Sequence, residues 1–149
     1  MEIRPKADDR TRTPIEMLHI ERAPGTKADR APPRVLIMED EFIVALDLSD
    51  MTEELGFDVE GPFATIAEGA RALEHFCPDA AILDVQLADG EVFPLADMLV
   101  RLGVPIIFHS GHADIASLLA RYPEARSASK PCAAELIASY LVQLTSTRC

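Results

Sequence analysis

Val35-Leu-Ile-Met-Glu-Asp-Glu41 is the stretch whose reading decides the fold. Four apolar residues are followed at once by three carboxylates. Val35 to Met38 form a short continuous apolar run, as expected of a strand buried on both faces. Glu39, Asp40 and Glu41 fall where such a strand would leave the core. Carboxylates this close repel one another unless positive charge sits among them. A hard divalent cation such as Mg2+ would supply it, because it takes oxygen ligands. A solvated acidic loop that opens a helix fits the same residues equally well, since carboxylates suit a helix N-terminus. The stretch alone does not separate the two readings.

Working outward, the 149 residues suggest one domain with an extension. Hydrophobic residues make up 48% of the chain, enough for a proper core. No apolar run approaches the roughly 20 residues of a membrane span. The N-terminal MEIRPKADDR is charged and lacks the apolar segment of a signal peptide. A soluble, cytoplasmic protein is expected. Cys77, Cys132 and Cys149 are an odd number without metal-ligand spacing, so reduced thiols are expected. Residues 1–33 carry seven basic against six acidic residues, and residues 34–149 carry seven against nineteen. A body this acidic disfavours unaided binding to nucleic acid, whose phosphates need a basic surface.

Residues 1–33 hold five of the eleven prolines and read as a flexible extension. Within it, Pro14 to Ile20 could form a short amphipathic helix. A helix that short is marginal in water and would need a partner surface. The folded part, residues 34–145, alternates strands with helices. Strands are expected at 34–38, weakly at 57–60, then at 80–83, 104–108 and 126–129. The helix over 42–55 carries Ile43, Leu46, Met51 and Leu55 at helical spacing, with Gly56 as its stop. Thr65 and Glu68 form a capping-box pattern for a second helix that ends before Pro78. A loop over 85–90 follows the third strand. Helices over 91–102, 113–121 and 133–144 complete the series. This rhythm argues for a parallel sheet covered on both faces.

In open α/β sheets, ligands bind outside the carboxyl ends of the strands. Those ends carry Glu39 and Asp40, Asp84, Ser110 and Lys130. Each has a bland reading alone: aspartate often ends a strand, serine often caps a helix, and Lys-Pro is often a turn. All of them at one edge is a different matter. Three carboxylates, a hydroxyl and an ammonium suit phosphoryl transfer to a carboxylate, which would form an acyl phosphate with a metal neutralising the charge. No glycine-rich phosphate loop is present, so a nucleotide need not bind here.

From Arg34 to Leu144 the chain resembles a CheY-like receiver domain of two-component response regulators. VLIMEDE, AAILDVQLADG, VPIIFHSGH and SASKP carry the resemblance, in order and spacing. It implies a flavodoxin-like (βα)5 sandwich with a parallel five-stranded sheet of order 2-1-3-4-5. It implies Asp84 as phosphoacceptor. It implies Mg2+ bound by Asp40, Asp84 and the backbone carbonyl of Gln86, with Glu39 acting largely through water. Ser110 would be the switch hydroxyl and Lys130 the phosphate partner, and the Lys130–Pro131 bond would be cis. Two departures stand out. Ser127 occupies the place of the usual switch aromatic, and Ala88 stands where a proline is common. FHSGH is similar to a subgroup with a Phe-x-Thr/Ser-Gly signature.

His109 reads first as a partly buried core residue. His112 and Gln86 are candidate modulators of the water that would attack the acyl phosphate. Only Thr145 to Cys149 follow the last helix, so a stand-alone receiver is expected, one that signals by altered protein binding through residues 112–144. The implied donor is a histidine kinase or a histidine phosphotransfer protein, with small acyl phosphates as a second source. Neither nucleic acid nor membrane is an expected partner; a homodimer is open. The expected protein is not an enzyme beyond its own phosphorylation and dephosphorylation. An aspartyl-phosphate phosphatase would need an aspartate where Gln86 stands. A phosphorylation-independent docking module with a degenerate site is the alternative.

Overall fold

The structure is a computed structural model, described over residues 31–111, 113–130 and 134–146. The amphipathic turn that Pro14 to Ile20 could form, nearly all of the extension, His112 and the Lys130–Pro131 bond lie outside those residues. Every element below belongs to the unit that begins at Pro33.

The most apolar segments make the middle of the sheet. β1 (Arg34–Met38), β3 (Ala80–Leu83) and β6 (Ile106–Ser110) are almost wholly buried. β2 (Asp58–Phe63) and β7 (Arg126–Ser129) are the half-exposed edges. All five are parallel in the order β2-β1-β3-β6-β7. Renumbered without the hairpin described below, this is the expected 2-1-3-4-5. Successive residues of a strand face opposite sides, which splits the core in two. Leu36, Met38, Leu83 and Phe108 pack beneath α2 (Ile66–Leu73), α3 (Phe93–Arg101) and α4 (Ile115–Arg121). Val35, Ile37, Ile82 and Ile107 pack beneath α1 (Phe42–Glu54) and α5 (Ala134–Ser146). The result is a three-layer flavodoxin-like sandwich.

Four local differences from the sequence reading have physical causes. β2 continues through Gly61-Pro62, because an edge strand tolerates a proline. Gly61 sits there at a φ of +104°, where the β1–β2 register shifts, and a Cβ would stand 2.8 Å from the Ile37 carbonyl oxygen. The fourth sheet strand starts at Ile106 rather than Val104. Val104 donates its N–H to the Leu99 carbonyl at 2.9 Å, closing α3, so it is not free for the ladder. His109 and Ser110 consequently lie inside the strand. The expected loop after Asp84 contains a two-rung antiparallel hairpin, β4 (Gln86–Leu87) with β5 (Gly90–Glu91). This delays α3 to Phe93, with Pro94 in its first turn, where its missing N–H costs nothing.

The fourth difference corrects the packed face of α1. Ile43, Leu46 and Leu55, expected in the core, are 71%, 48% and 41% exposed. Ala45, Leu48 and Thr52 are buried instead, with Val44 and Met51 packed beside them. FIVALDLSDM holds more apolar residues than one helix face can bury, so periodicity alone left the phase open. Thr65 caps α2 as expected, accepting from the Glu68 N–H at 3.1 Å, and Glu68 reaches back to the Ala64 N–H. That helix ends at Leu73, short of Phe76.

Candidate functional site

Glu39 and Asp84 are set at neighbouring strand ends by the backbone. The Glu39 N–H donates to the Phe63 carbonyl and the Asp84 N–H to the Met38 carbonyl, each at 2.9 Å. One strand further, the Lys130 N–H donates to the Ser110 carbonyl at 3.0 Å. The ladder thus gathers Glu39, Asp40, Asp84, Ser110 and Lys130 at one edge, as the strand ends suggested. Glu39, Asp84 and Ser110 are buried, while Asp40 is exposed.

Lys130 is the cation of this group. Its Nζ lies 3.0 Å from Asp84 Oδ2, 3.1 Å from both oxygens of Glu39 and 3.2 Å from Glu41 Oε1. Only Oε2 of Glu39 has hydrogen-bond geometry toward it, so the buried Oε1 has no hydrogen-bond partner. Burial pushes the Glu39 carboxyl up to about 7; the Lys130 hydrogen bond opposes this and the neighbouring Asp84 adds to it. For Lys130, burial acts against the ammonium. The hydrogen bonds to Asp84 and Glu39 outweigh it and hold the pKa above the ordinary lysine value.

Glu39, Asp40 and Asp84 each offer a carboxylate oxygen within 4.8 Å of the others. All donors are oxygens, which fits a hard cation rather than a thiophilic metal. The orphaned Glu39 Oε1 is a ready acceptor of positive charge. One ammonium serves three carboxylates here, so the site has room, electrostatically, for a second cation.

Asp40, Glu41, Asp84 and Lys130 border a cavity of about 750 Å3 that runs along the cleft between α1 and α5. Gln86 and Ser110 also line it. The Gln86 N–H donates to Asp84 Oδ1 at 3.3 Å. His109 lines it as well, which places this histidine at the site and not simply in the core. His109 is 6% exposed, and its Nδ1 has no hydrogen-bond partner.

Sequence reasoning passed over three contributors. Glu41 binds Lys130, although it stands in the quoted acidic run and so was in view. Asp89 accepts from the Ile66 and Ala67 N–H groups at 2.7 and 3.2 Å, tying the loop after Asp84 to the start of α2. Those backbone bonds hold its carboxyl below the usual range. Tyr122 had no local signal. Ser127 pairs with Phe108 across β6–β7, and the Phe108 ring lies 5.3 Å from the Tyr122 ring. Tyr122 in turn donates to Asp97 Oδ1 at 2.7 Å, and that bond together with burial pushes its hydroxyl up to about 12. Beside the small Ser127, then, an aromatic reaches β6 from the residue that follows α4.

No family model matches the chain. It is 36% identical over 83 residues to the phyllosphere-induced regulator PhyR of Methylorubrum extorquens, a match covering 54% of this chain and 31% of that protein. It is 40% identical over 65 residues to the transcriptional regulatory protein PdtaR of Mycobacterium tuberculosis, covering 43% and 32%. The matches thus span about a third of the length of these curated relatives. Among solved structures it is similar to the signal receiver domain of a modulated diguanylate cyclase from Desulfovibrio desulfuricans. The TM-score is 0.67 at 29% identity, covering 78% of this chain and 95% of that one. Among the described residues no helix is long and apolar enough to cross a membrane.

Proposed function

The chain carries a receiver domain of the two-component response regulators, and we propose that it accepts a phosphoryl group on Asp84 and signals by altered protein binding. The observation that carries this reading is the buried Asp84 carboxylate, 3.0 Å from the Lys130 ammonium and within the Glu39–Asp40–Asp84 oxygen cluster. A carboxylate so placed is a nucleophile with its charge neutralised. One Asp84 oxygen forms a bond to phosphorus as the donor's bond to phosphorus breaks. The donor nitrogen or carboxylate leaves with the electron pair. Lys130 and Ser110 then contact the phosphoryl oxygens.

Glu39, Asp40 and Asp84, with the Gln86 carbonyl, would hold Mg2+, which supplies charge neutralisation when bound. The donor is a histidine kinase or histidine phosphotransfer protein. In support, Phe42, Ile43 and Leu46 expose an apolar stripe at the end of α1 next to Asp40 and Glu41. Exposed apolar patches of this kind mark protein contacts. Residues 112–144 would carry the signal to a partner, through a shift in population rather than a mechanical push. Gln86 in place of a second acidic residue argues against a turning-over phosphatase.

The test is incubation with a small acyl phosphate, with and without Mg2+, followed by intact-protein mass spectrometry. A single phosphoryl mass is expected only with Mg2+ and is expected to vanish in Asp84→Asn. Uptake undiminished in that variant would move the acceptor elsewhere. No uptake from any donor, with Mg2+ affinity also absent, would leave the phosphorylation-independent docking module.

A further inference from the structure

The hairpin that follows Asp84 is fastened at its tip from outside. β4 and β5 share only two rungs, and the Val92 N–H closes their base on the Val85 carbonyl at 2.8 Å. A two-stranded hairpin is marginal by itself in water. Val85, Leu87 and Val92 pack into the core, whereas the tip at Ala88 and Asp89 is exposed. Core packing therefore holds one side of the hairpin and leaves the tip to find its own anchor.

The start of α2 supplies that anchor. The Ala88 N–H donates to the Ala64 carbonyl at 3.0 Å, and the Asp89 carboxylate accepts from the Ile66 and Ala67 N–H groups at 2.7 and 3.2 Å. The opening N–H groups of a helix have no partner within it. In α2, side chains answer three of them: Thr65 takes Glu68, and Asp89 takes the two before it. The two caps differ in one respect. Thr65 belongs to the chain that enters α2, whereas Asp89 reaches in from the hairpin, so its bonds also fix the hairpin tip.

The other end of the hairpin meets the site. The Asp84 carboxylate accepts from the Gln86 N–H on Oδ1 at 3.3 Å and from Lys130 on Oδ2 at 3.0 Å. The first of these contacts comes from β4, so it is only as steady as the hairpin. Small misplacements of a reacting group are costly in rate. We propose that Asp89 is a positioning residue for the phosphoacceptor: by capping α2 from the hairpin tip, it keeps the Gln86 N–H on Asp84 Oδ1 and so sets the orientation of the attacking carboxylate. The inference rests on the phosphoacceptor reading above.

Thr65→Ala is the natural control, because it removes a cap from the same helix without touching the hairpin. Uptake from a small acyl phosphate at saturating Mg2+ is timed by intact-protein mass spectrometry. Asp89→Ala is expected to slow it about fivefold, the fold-change that matches the loss of one cap. Thr65→Ala is expected to stay within about twofold of the unaltered protein, although the urea midpoints of the two variants fall alike. Asp89→Asn, whose side-chain oxygen can still accept from the Ile66 N–H, is expected to be faster than Asp89→Ala. Exchange of the Gln86 amide with solvent, read by NMR without donor or Mg2+, is expected to quicken in Asp89→Ala and not in Thr65→Ala. Equal slowing in the two alanine variants, no slowing in Asp89→Ala, no recovery in Asp89→Asn, or an unchanged Gln86 exchange rate overturns the proposal. If the unaltered protein takes up no phosphoryl group from any donor, the phosphoacceptor reading falls, and this inference with it.

Discussion

The two ends of the sheet's active edge are built differently. At β1 and β3 the site is a charge cluster: three carboxylates set by main-chain bonds at neighbouring strand ends, with the Lys130 ammonium reaching them from the end of β7. At β6 and β7 it is a packing cluster: Ser127 beside Phe108, Tyr122 over Phe108, and Tyr122 bonded to Asp97. Charge placed by strand ends is a property of a few consecutive residues. An aromatic contact between a strand and a distant helix is a property of the folded molecule. The first end is where phosphoryl chemistry would occur, and the second is where its consequence would leave the site.

Removing the ammonium should break the charge end most severely. In Lys130→Ala the Glu39 and Asp84 carboxylates, almost fully shielded from solvent, face each other without a cation. Removing one partner of a buried pair costs about 3 kcal/mol. A chemical denaturation midpoint well below the unaltered protein's is expected without divalent cations, with much of the loss recovered on adding Mg2+. A loss that Mg2+ leaves unchanged would make Lys130 a purely structural residue.

Acidity gives the next effect. The Glu39 carboxyl titrates near 7 in the folded chain against 4.5 unfolded. The folded state therefore binds the proton more tightly, and its contribution to stability is full below about 4.5. It is lost as pH rises through about 7. The melting temperature of the Mg2+-free protein should fall across that window more steeply than that of Glu39→Gln. Parallel profiles for the two proteins would remove Glu39 as the cause.

The packing end should respond in the opposite sense, with modest loss of stability and no loss of phosphoryl uptake. Tyr122→Phe keeps the ring against Phe108 and gives up the Asp97 hydrogen bond, an expected cost of about 1 kcal/mol. Uptake from a small acyl phosphate should stay within about twofold of the unaltered protein, a margin near the RT-scale free-energy difference. A collapse of uptake in this variant would join the two ends into one unit. The smallest effect lies outside both. Thr65→Ala removes the cap of α2, at about 1 kcal/mol or less, with no change in the Glu39 pH profile. Urea midpoints check both variants.

The same contrast explains what was legible in the sequence. β1 and β3 are buried on both faces, so their runs are uninterrupted and their ends unambiguous, and Glu39, Asp40 and Asp84 follow directly. β2 is an edge, carries Gly61-Pro62 and has one half-exposed face, so its pattern was weak. The α1 face was misjudged because Phe42, Ile43 and Leu46 are apolar yet exposed, and periodicity assumes that apolar residues point inward. His109 was read as core from its strand; that its ring borders the cavity depends on how β6 pairs with β3 and β7. Tyr122 lies 14 residues from Phe108 and meets it only through tertiary packing. A capping box, by contrast, is local, and Thr65 was found from its spacing alone.

The central claim is that Asp84 is the acceptor, and borohydride trapping tests it most directly. Reduction of an aspartyl phosphate leaves homoserine at the modified position, which peptide mapping by mass spectrometry locates. After exposure to a small acyl phosphate and Mg2+, homoserine at position 84 and nowhere else is the expected result. Homoserine at Asp40 or another aspartate, with position 84 unchanged, would contradict the account.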